Sequence, residues 1–227
     1  MSTVLVIAAH PDDEILGVGA TIAKHVKNGD VAYALILGEG QTSRTETREE
    51  TDLSVVEKLH EDSLNASKII GYTEIFFENL PDNRFDRIDL LDIVKVVEKY
   101  VSKIKPDIIY THHRGDLNVD HQYAYRAVMT ATRPLSCCPV KEIYCFETVS
   151  STEWNFAYKD EAFTPNVFVD VEDTFEKKIE AMKKYDSELG EFPHPRSIEN
   201  LKICAKRWGA VTGRNYVEAF ETMRVIR

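Results

Sequence analysis

The stretch VLVIAAHPDDEILG, residues 4–17, joins a continuous apolar run to a histidine, a proline and three consecutive acids. An unbroken apolar run over residues 3–9 predicts a parallel β-strand that is covered on both faces. Apolar residues then recur at helical spacing from Ile15 to Val26, and Gly29 is a typical helix stop. The stretch therefore predicts a strand, a tight turn and a helix, with polar side chains clustered at the turn.

Strands and helices continue to alternate along the chain. Further strands are predicted at residues 31–38, 73–79, 106–113 and 140–147, and helices at 53–71, 90–104 and 119–132. The last third is less regular, with strands near 167–171 and 216–226 and helices near 174–189 and 197–209. Such alternation predicts βαβ units. We expect an α/β fold formed by a single domain over residues 1–227, a Rossmann-like three-layer sandwich with a mostly parallel central sheet.

Composition excludes several classes of protein. Of the 227 residues, 43% are hydrophobic and 29% are charged, which is typical of a globular chain rather than a disordered one. The formal charge of −10 argues against nucleic acid as a partner, because phosphate binding needs a basic surface. We find neither a signal peptide nor an apolar run of roughly 20 residues, so we expect no membrane span and a cytoplasmic location.

The polar residues of the first turn have two interpretations. Acids near a helix N-terminus stabilise the helix, and an aspartate is a good N-cap, but helix capping does not explain His10. Pro11 keeps His10 extended at the end of the strand. Ligands of open α/β sheets bind outside the carboxyl ends of the strands. His10, Asp12 and Asp13 are therefore candidate site residues.

A second polar cluster, THHRGDLNVDHQ at residues 111–122, follows the fourth predicted strand. It contains three of the seven histidines, and a polar loop that caps the next helix would explain only part of it. Two imidazoles, one carboxylate and an open position suit a catalytic divalent metal. We also expect one of His112 and His113 to support a metal ligand.

The two clusters together carry a resemblance to a known family. AHPDDE at residues 9–14, paired with DLNVDH at 116–121, resembles the PIG-L/LmbE-like family of zinc-dependent N-acetylglucosamine deacetylases. FPHPRS at 192–197 and VEAFETMR at 217–224 resemble that family's C-terminal segments. The resemblance implies hydrolysis of the N-acetyl group of a small-molecule amino sugar or its conjugate: a glycoside, a nucleotide sugar or a thiol precursor. The resemblance is also compatible with a homo-oligomer.

The resemblance further implies roles for residues of both clusters. His10, Asp13 and His121 would hold Zn²⁺, with Fe²⁺ or Co²⁺ as other suitable metals, and Asp12 would be the general base. The chemistry agrees, because zinc lowers the pKa of bound water to about 7 and polarises an amide carbonyl. Near a helix N-terminus and a cation, we expect both Asp12 and Asp13 to be ionised.

Position 118 departs from the family pattern. Many members have a histidine three residues before the last ligand, where this chain has Asn118. Asparagine can donate a hydrogen bond to an oxyanion but cannot transfer a proton at neutral pH. Asp120, the partner of that histidine in the family, would then orient Asn118 or a neighbouring ligand. The general acid is left open between Asp12 and His194 of the FPHPRS segment.

Five residues are candidates for contact with substrate: Arg48, Arg84, Glu153, Trp154 and Arg196. Arg196 lies in a loop flanked by prolines, which is too polar and stiff for a core. Arg48 and Arg84 would bind sugar hydroxyls or a phosphate, although solvated surface charge explains them equally well. Glu153 and Trp154 follow the fifth strand, where they would hydrogen-bond and stack against a sugar; packing is the ordinary alternative for a tryptophan.

Two other functions use the same features. His10, Asp13 and His121 would also form a facial triad for Fe(II)-dependent oxygenation, although such triads occur more often on double-stranded β-helix folds. A sugar- or nucleotide-binding module without chemistry would also fit a strand–turn–helix architecture. The first turn lacks the GxGxxG pattern, however, and three acids there would repel a pyrophosphate.

Overall fold

A seven-stranded sheet forms the centre of the protein in this computed structural model, which describes residues 1–44, 52–156 and 159–227. Its strands are β1 (Thr3–Ala8), β2 (Val31–Gly38), β3 (Glu74–Leu80), β4 (Ile108–His112), β5 (Glu142–Phe146), β6 (Val167–Asp170) and β7 (Val217–Val225). They lie in the order β3-β2-β1-β4-β5-β7-β6. The first five are parallel, whereas β7 runs antiparallel to both of its neighbours. The mostly parallel sheet is confirmed.

Helices cover both faces of this sheet. They are α1 (Asp13–Leu16), α2 (Gly19–Lys27), α3 (Leu53–Ile70), α4 (Leu90–Ile104), α5 (Val119–Ala131), α6 (Phe175–Met182) and α7 (Ile198–Thr212). Helices α2, α3, α6 and α7 pack in one apolar core, and α4 and α5 in the other. Val4 and Val6 of β1 belong to the first core, and Leu5 and Ile7 to the second. Burial on both faces is why β1 is apolar throughout, and the three-layer α/β sandwich is confirmed.

The helix predicted after β1 is divided in two. Helix α1 ends at Leu16 and α2 begins at Gly19. Gly17, between them, lies against the ring of Phe146 from β5, where a Cβ atom would be 2.1 Å from the ring carbon Cδ2. This close approach requires glycine, and the next residue, Val18, leaves the helical conformation with φ −146° and ψ 7°. Helix α6 also differs from the prediction: it ends at Met182, and a separate 3-10 turn follows at Asp186–Glu188.

The strand order positions the polar clusters. β1 lies between β2 and β4, so the chain crosses to the two sides of β1 in turn. The carboxyl ends of β1 and β4 therefore meet at the point where the direction of crossing reverses, which is where open α/β sheets bind ligands. Among the helices of the described segments, none has the length and apolarity needed to cross a membrane.

Candidate active site

The turn after β1 places Asp12 in an unusual backbone conformation. Its φ angle is 104°, a region that residues other than glycine rarely adopt, at a cost on the order of 1–3 kcal/mol. The Glu14 carboxylate accepts the N–H of Asp12 at 3.0 Å, and the Asp12 carbonyl accepts the N–H of Leu16 at 2.8 Å. The Tyr185 hydroxyl donates to Glu14 in turn. These buried groups hold the turn in shape.

Three predicted ligands converge beyond this turn. The Asp13 Oδ2 atom lies 3.5 Å from His10 Nδ1 and 3.4 Å from His121 Nε2. One potential ligand atom from each residue lies within 4.8 Å of those of the other two. Zinc–nitrogen bonds of about 2.0–2.1 Å in tetrahedral geometry place neighbouring ligand atoms about 3.3–3.4 Å apart. The separations of Asp13 from His10 and from His121 therefore suit neighbouring ligands of a tetrahedral divalent metal.

Two buried aspartates contact the opposite nitrogens of the two imidazoles. His10 Nε2 lies 2.9 Å from Asp120 Oδ2, and His121 Nδ1 lies 3.1 Å from Asp116 Oδ1. Burial alone would lower the pKa of His121, but Asp116 and Asp13 together raise it to about 9. Carboxylates placed in this way fix the ring orientation and raise the basicity of metal-ligating histidines.

Asp120 joins the two polar clusters to a third segment. Its carboxylate accepts the backbone N–H of Asn83 at 2.6 Å and that of Phe85 at 3.0 Å. Asn118 is the N-cap of α5, because its Oδ1 atom accepts the N–H of Asp120 at 2.8 Å. The Asp120 side chain thus contacts the predicted ligand His10, one of the two alternatives left open by the sequence.

Arg196 reaches this site from the loop before α7. Its Nη1 atom donates to Asp12 Oδ2 at 2.8 Å and to Glu188 Oε2 at 2.9 Å, and its Nε atom donates to Ser150 Oγ at 2.7 Å. The guanidinium is held by three partners, two of them buried carboxylates. Its position beside Asp12 makes Arg196 a part of the candidate site.

The adjacent carboxyls Asp12 and Asp13 titrate differently. Burial raises the pKa of Asp12 well above its usual value, although the guanidinium of Arg196 opposes the shift. Burial would also raise the pKa of Asp13, but the neighbouring imidazoles, above all that of His121, hold it well below the usual value. Asp12 therefore keeps its proton to a higher pH than Asp13 does. The expectation that both carboxyls are ionised beside a bound cation stays a prediction.

Of the two adjacent histidines, His112 is the one that contacts a predicted metal ligand. Its Nε2 atom accepts the backbone N–H of Ala9 at 2.9 Å. Its ring stacks on that of His121 with centroids 3.9 Å apart. Burial lowers the pKa of His112 to about 3, so the ring is neutral at neutral pH. His112 therefore packs against a predicted ligand without adding charge.

A cavity of about 210 Å³ opens onto these groups. Six predicted site residues line it: His10, Asp12, Asp13, Asn118, His121 and Arg196. Asp82 and Glu188, which were not predicted from the sequence, also line it. Asp82 Oδ1 lies 3.2 Å from His10 Nε2; burial would raise the Asp82 pKa, but His10 lowers it to about 2. The signal for Asp82 is its place directly after the third strand.

Of the other predicted residues, Glu153, His194, Trp154 and Arg84 belong to the described part of the chain and do not line this cavity. Glu153 accepts the backbone N–H of Ser150 at 2.6 Å and stabilises the local turn. His194 is exposed, and its Nδ1 atom accepts the backbone N–H of Arg196 at 3.1 Å. Three remain: Trp154 lines an adjoining groove, Arg84 is half-buried and lines neither space, and Arg48 lies outside the described residues.

Comparison with known proteins places this geometry in a family. Residues 5–132 match the family model described as PIG-L: GlcNAc-PI de-N-acetylase. The chain is also 32% identical over 190 residues to a protein named uncharacterized deacetylase YaiS from Escherichia coli (strain K12), covering 81% of this chain and 90% of the relative. The chain belongs to the PIG-L family.

Two further proteins show the range of this fold. The diacetylchitobiose deacetylase of Thermococcus kodakarensis is 28% identical to this PIG-L protein over 226 residues, covering 95% of this chain and 80% of the relative. The crystal structure of GalB, the 4-carboxy-2-hydroxymuconate hydratase of Pseudomonas putida KT2440, superposes with a TM-score of 0.76 at 21% identity, covering 100% of this chain and 99% of that one. At that identity the likeness shows the fold alone, and the reaction must be argued from the site.

Proposed function

We propose that this PIG-L protein is a divalent-metal-dependent hydrolase that removes the N-acetyl group of an N-acetylglucosamine-type amino sugar or its conjugate. One observation carries the proposal: a carboxyl group free of the ligand set, that of Asp12, faces the same cavity as the converging donor atoms of His10, Asp13 and His121. A ligand set beside a separate proton acceptor is the arrangement that amide hydrolysis by water requires.

His10, Asp13 and His121 would hold the metal, and Zn²⁺ suits this donor set best. A divalent metal bound there supplies Lewis acidity toward the acetyl carbonyl and lowers the pKa of water. Asp120 accepts a hydrogen bond from His10 Nε2, and the Asp116 carboxylate lies 3.1 Å from His121 Nδ1, so the two carboxylates would keep the rings turned toward Asp13. The protein thus fixes the metal ligands before substrate arrives.

Asp12 takes the proton of the attacking water in this proposal. Arg196 holds the carboxyl through a 2.8 Å hydrogen bond and fixes its direction. Because burial raises the pKa of Asp12, the group is able both to accept a proton from water and to return it to the departing amine. Asp12 is therefore favoured as the general acid over His194, which is exposed and does not line the cavity.

Asn118 would contribute a hydrogen bond to the developing oxyanion. Its Oδ1 atom is occupied as the acceptor for the Asp120 N–H, which leaves the Nδ2 amide as the donor of a side chain that lines the cavity. Fixed hydrogen-bond donors stabilise oxyanions well when water is excluded. This role needs no proton transfer, so an asparagine serves it.

The test is acetate release from a panel of N-acetylated amino sugars. The purified protein is stripped with a chelator and then reloaded with Zn²⁺, Fe²⁺ or Co²⁺. We expect acetate release to disappear with the metal and to return on reloading. Asp13→Asn should prevent the recovery. Asp30→Asn is a matched control, because Asp30 pairs with His25 outside the cavity, and it should recover fully. Metal-independent release, or none from any sugar, would contradict the proposal.

A further inference from the structure

A second groove of about 360 Å³ adjoins the catalytic cavity. Four residues line both spaces, namely Asn83, Asn118, Ser150 and Ser151. A sugar whose N-acetyl group reaches the ligand set therefore has room beyond it for a further chemical group. At about 360 Å³ the groove is larger than the catalytic cavity, which has about 210 Å³.

Part of the lining of this groove is apolar, whereas the catalytic cavity is lined mainly by polar residues. Trp154 stands on a 3-10 turn with 43% of its surface exposed. Leu117 and Val119 are 51% and 40% exposed on the same groove. An exposed aromatic ring with aliphatic neighbours favours stacking against the flat face of another ring. The polar residues shared with the cavity would contact the ring's edge.

Charge restricts which ring fits. Among the described residues that line the groove, Asp86 is the only charged one, and none is a cation. Arg196, which lines the adjoining catalytic cavity, is already paired with Asp12 and Glu188. A phosphate in the groove would meet the carboxylate of Asp86 and no cation among the described residues that line it. An uncharged ring meets no such penalty.

We propose that this groove binds an uncharged ring attached to the N-acetylated sugar, with Trp154 as the stacking surface. The preferred substrate is then a neutral glycoside rather than the free sugar or a phosphate-linked sugar. This inference rests on the proposed deacetylase function and specifies its substrate class. Trp154 acts through binding and takes no part in proton transfer.

Kinetics on three substrates test the inference: phenyl N-acetyl-β-glucosaminide, free N-acetylglucosamine and N-acetylglucosamine 1-phosphate. We expect kcat/KM of the zinc-loaded protein to be about tenfold higher for the phenyl glycoside than for the free sugar, since stacking on an aromatic ring is worth up to about a factor of ten. The phosphate should be the poorest substrate. Trp154→Ala should lower the glycoside-to-sugar ratio about tenfold, and Trp154→Phe should restore most of it.

Phe156→Ala is the matched control, because Phe156 is an 87% exposed aromatic residue of the same loop that does not line the groove. It should keep the wild-type ratio. Equal kcat/KM for glycoside and free sugar would overturn the inference, as would a preference for the phosphate or an unchanged ratio in Trp154→Ala. If acetate is still released from some sugar in those experiments, only the groove inference is contradicted and the proposed deacetylase function is retained.

Ligand binding separates the two proposals if no sugar is hydrolysed. Tryptophan fluorescence of the wild type is titrated with the phenyl glycoside, and the titration is repeated with Trp154→Phe, which keeps a ring but removes the fluorophore. Quenching in the wild type that is absent in the variant supports the groove as the ring site, even while absent acetate release contradicts the deacetylase function. If the phenyl glycoside does not quench the fluorescence of the wild type, the proposal that the groove binds the ring is contradicted.

Discussion

His112 and His113 are adjacent and buried, yet their pKa values shift in opposite directions. His112 Nε2 accepts a backbone N–H, and burial lowers the pKa of the ring to about 3. Both nitrogens of His113 donate, Nδ1 to Glu221 Oε2 at 2.8 Å and Nε2 to the Glu161 carbonyl at 2.7 Å. Burial opposes the charge of His113, but Glu221 outweighs it and raises the pKa.

The His113 cluster consists of His113, Glu221, Thr164 and the Glu161 carbonyl. Glu221 also accepts the Thr164 hydroxyl at 3.1 Å, so its carboxylate is fully used within the cluster. The candidate site differs because three ligand atoms converge there and face a cavity. A buried histidine–carboxylate pair alone is therefore no sign of function. Metal binding and activity should depend on the candidate site, and stability on the His113 cluster.

The largest difference between the candidate site and the His113 cluster is expected when a predicted metal ligand is removed. His121→Ala should abolish metal binding and lower acetate release by at least about 10³-fold, because the metal's Lewis acidity is worth several kcal/mol to the transition state. His113→Gln, the control from the other cluster, should keep both. Metal content per chain and acetate release are the measurements. A His113→Gln protein that folds but loses its metal would break the contrast.

A smaller effect is expected from the aspartate behind His121. Asp116→Asn should weaken metal affinity about 10–100-fold, the usual cost of losing a carboxylate partner of a ligating histidine. Asp116 also accepts the Thr152 hydroxyl at 2.6 Å, so its thermal melting must be compared with that of the wild type. Affinity is measured by competition with a chelating dye. Unchanged affinity in a folded variant would show that Asp116 does not orient His121.

The fold was predictable from the sequence because its signals are local. The apolar run of β1 predicted a strand buried on both faces, and strand–helix alternation predicted the parallel sheet. The division between α1 and α2 was not predictable: the backbone leaves the helical conformation at Val18, and Gly17 packs against Phe146, which is far away in the sequence. Helix periodicity carries no information about such a contact.

The candidate site was predictable where its residues form motifs. His10, Asp13 and His121 come from two motifs that follow β1 and β4, and the structure brings them together. Asp82 and Glu188 are single acids in loops, and only the folded chain places them at the cavity. The unequal pKa values of Asp12 and Asp13 likewise depend on burial and on distant partners, which no spacing rule contains.

Substitutions in the His113 cluster should change the stability of the fold rather than the activity. Glu221→Gln should lower the free energy of unfolding by about 1.5–3 kcal/mol, the usual worth of a hydrogen bond to a charged group. Acetate release should stay at the wild-type level, since Glu221 does not line the cavity. Urea unfolding and the acetate assay give the two results. Wild-type stability combined with lost activity would reverse the roles assigned to the two regions.

The destabilisation by Glu221→Gln should depend on pH, because both His113 and Glu221 titrate. Because folding raises the pKa of His113, the pair's stabilisation is full below the unfolded histidine pKa of about 6.5 and declines as pH rises through the raised value. Folding lowers the pKa of Glu221 against the opposing effect of burial, so its contribution is full above an unfolded value of about 4.3 and declines at lower pH.

The stability difference between wild type and Glu221→Gln should therefore be largest between about pH 4.3 and 6.5. Urea unfolding of both proteins across a pH series measures it. A difference that grows steadily above this window would contradict a charged His113.

The central claim is that Asp12 moves the proton beside a metal held by His10, Asp13 and His121. Its most direct test is Asp12→Asn, which keeps the size of the side chain and removes its basicity. We predict a folded protein that binds metal as the wild type does and releases acetate about 10²–10⁴-fold more slowly. Undiminished acetate release by metal-loaded Asp12→Asn would contradict the account.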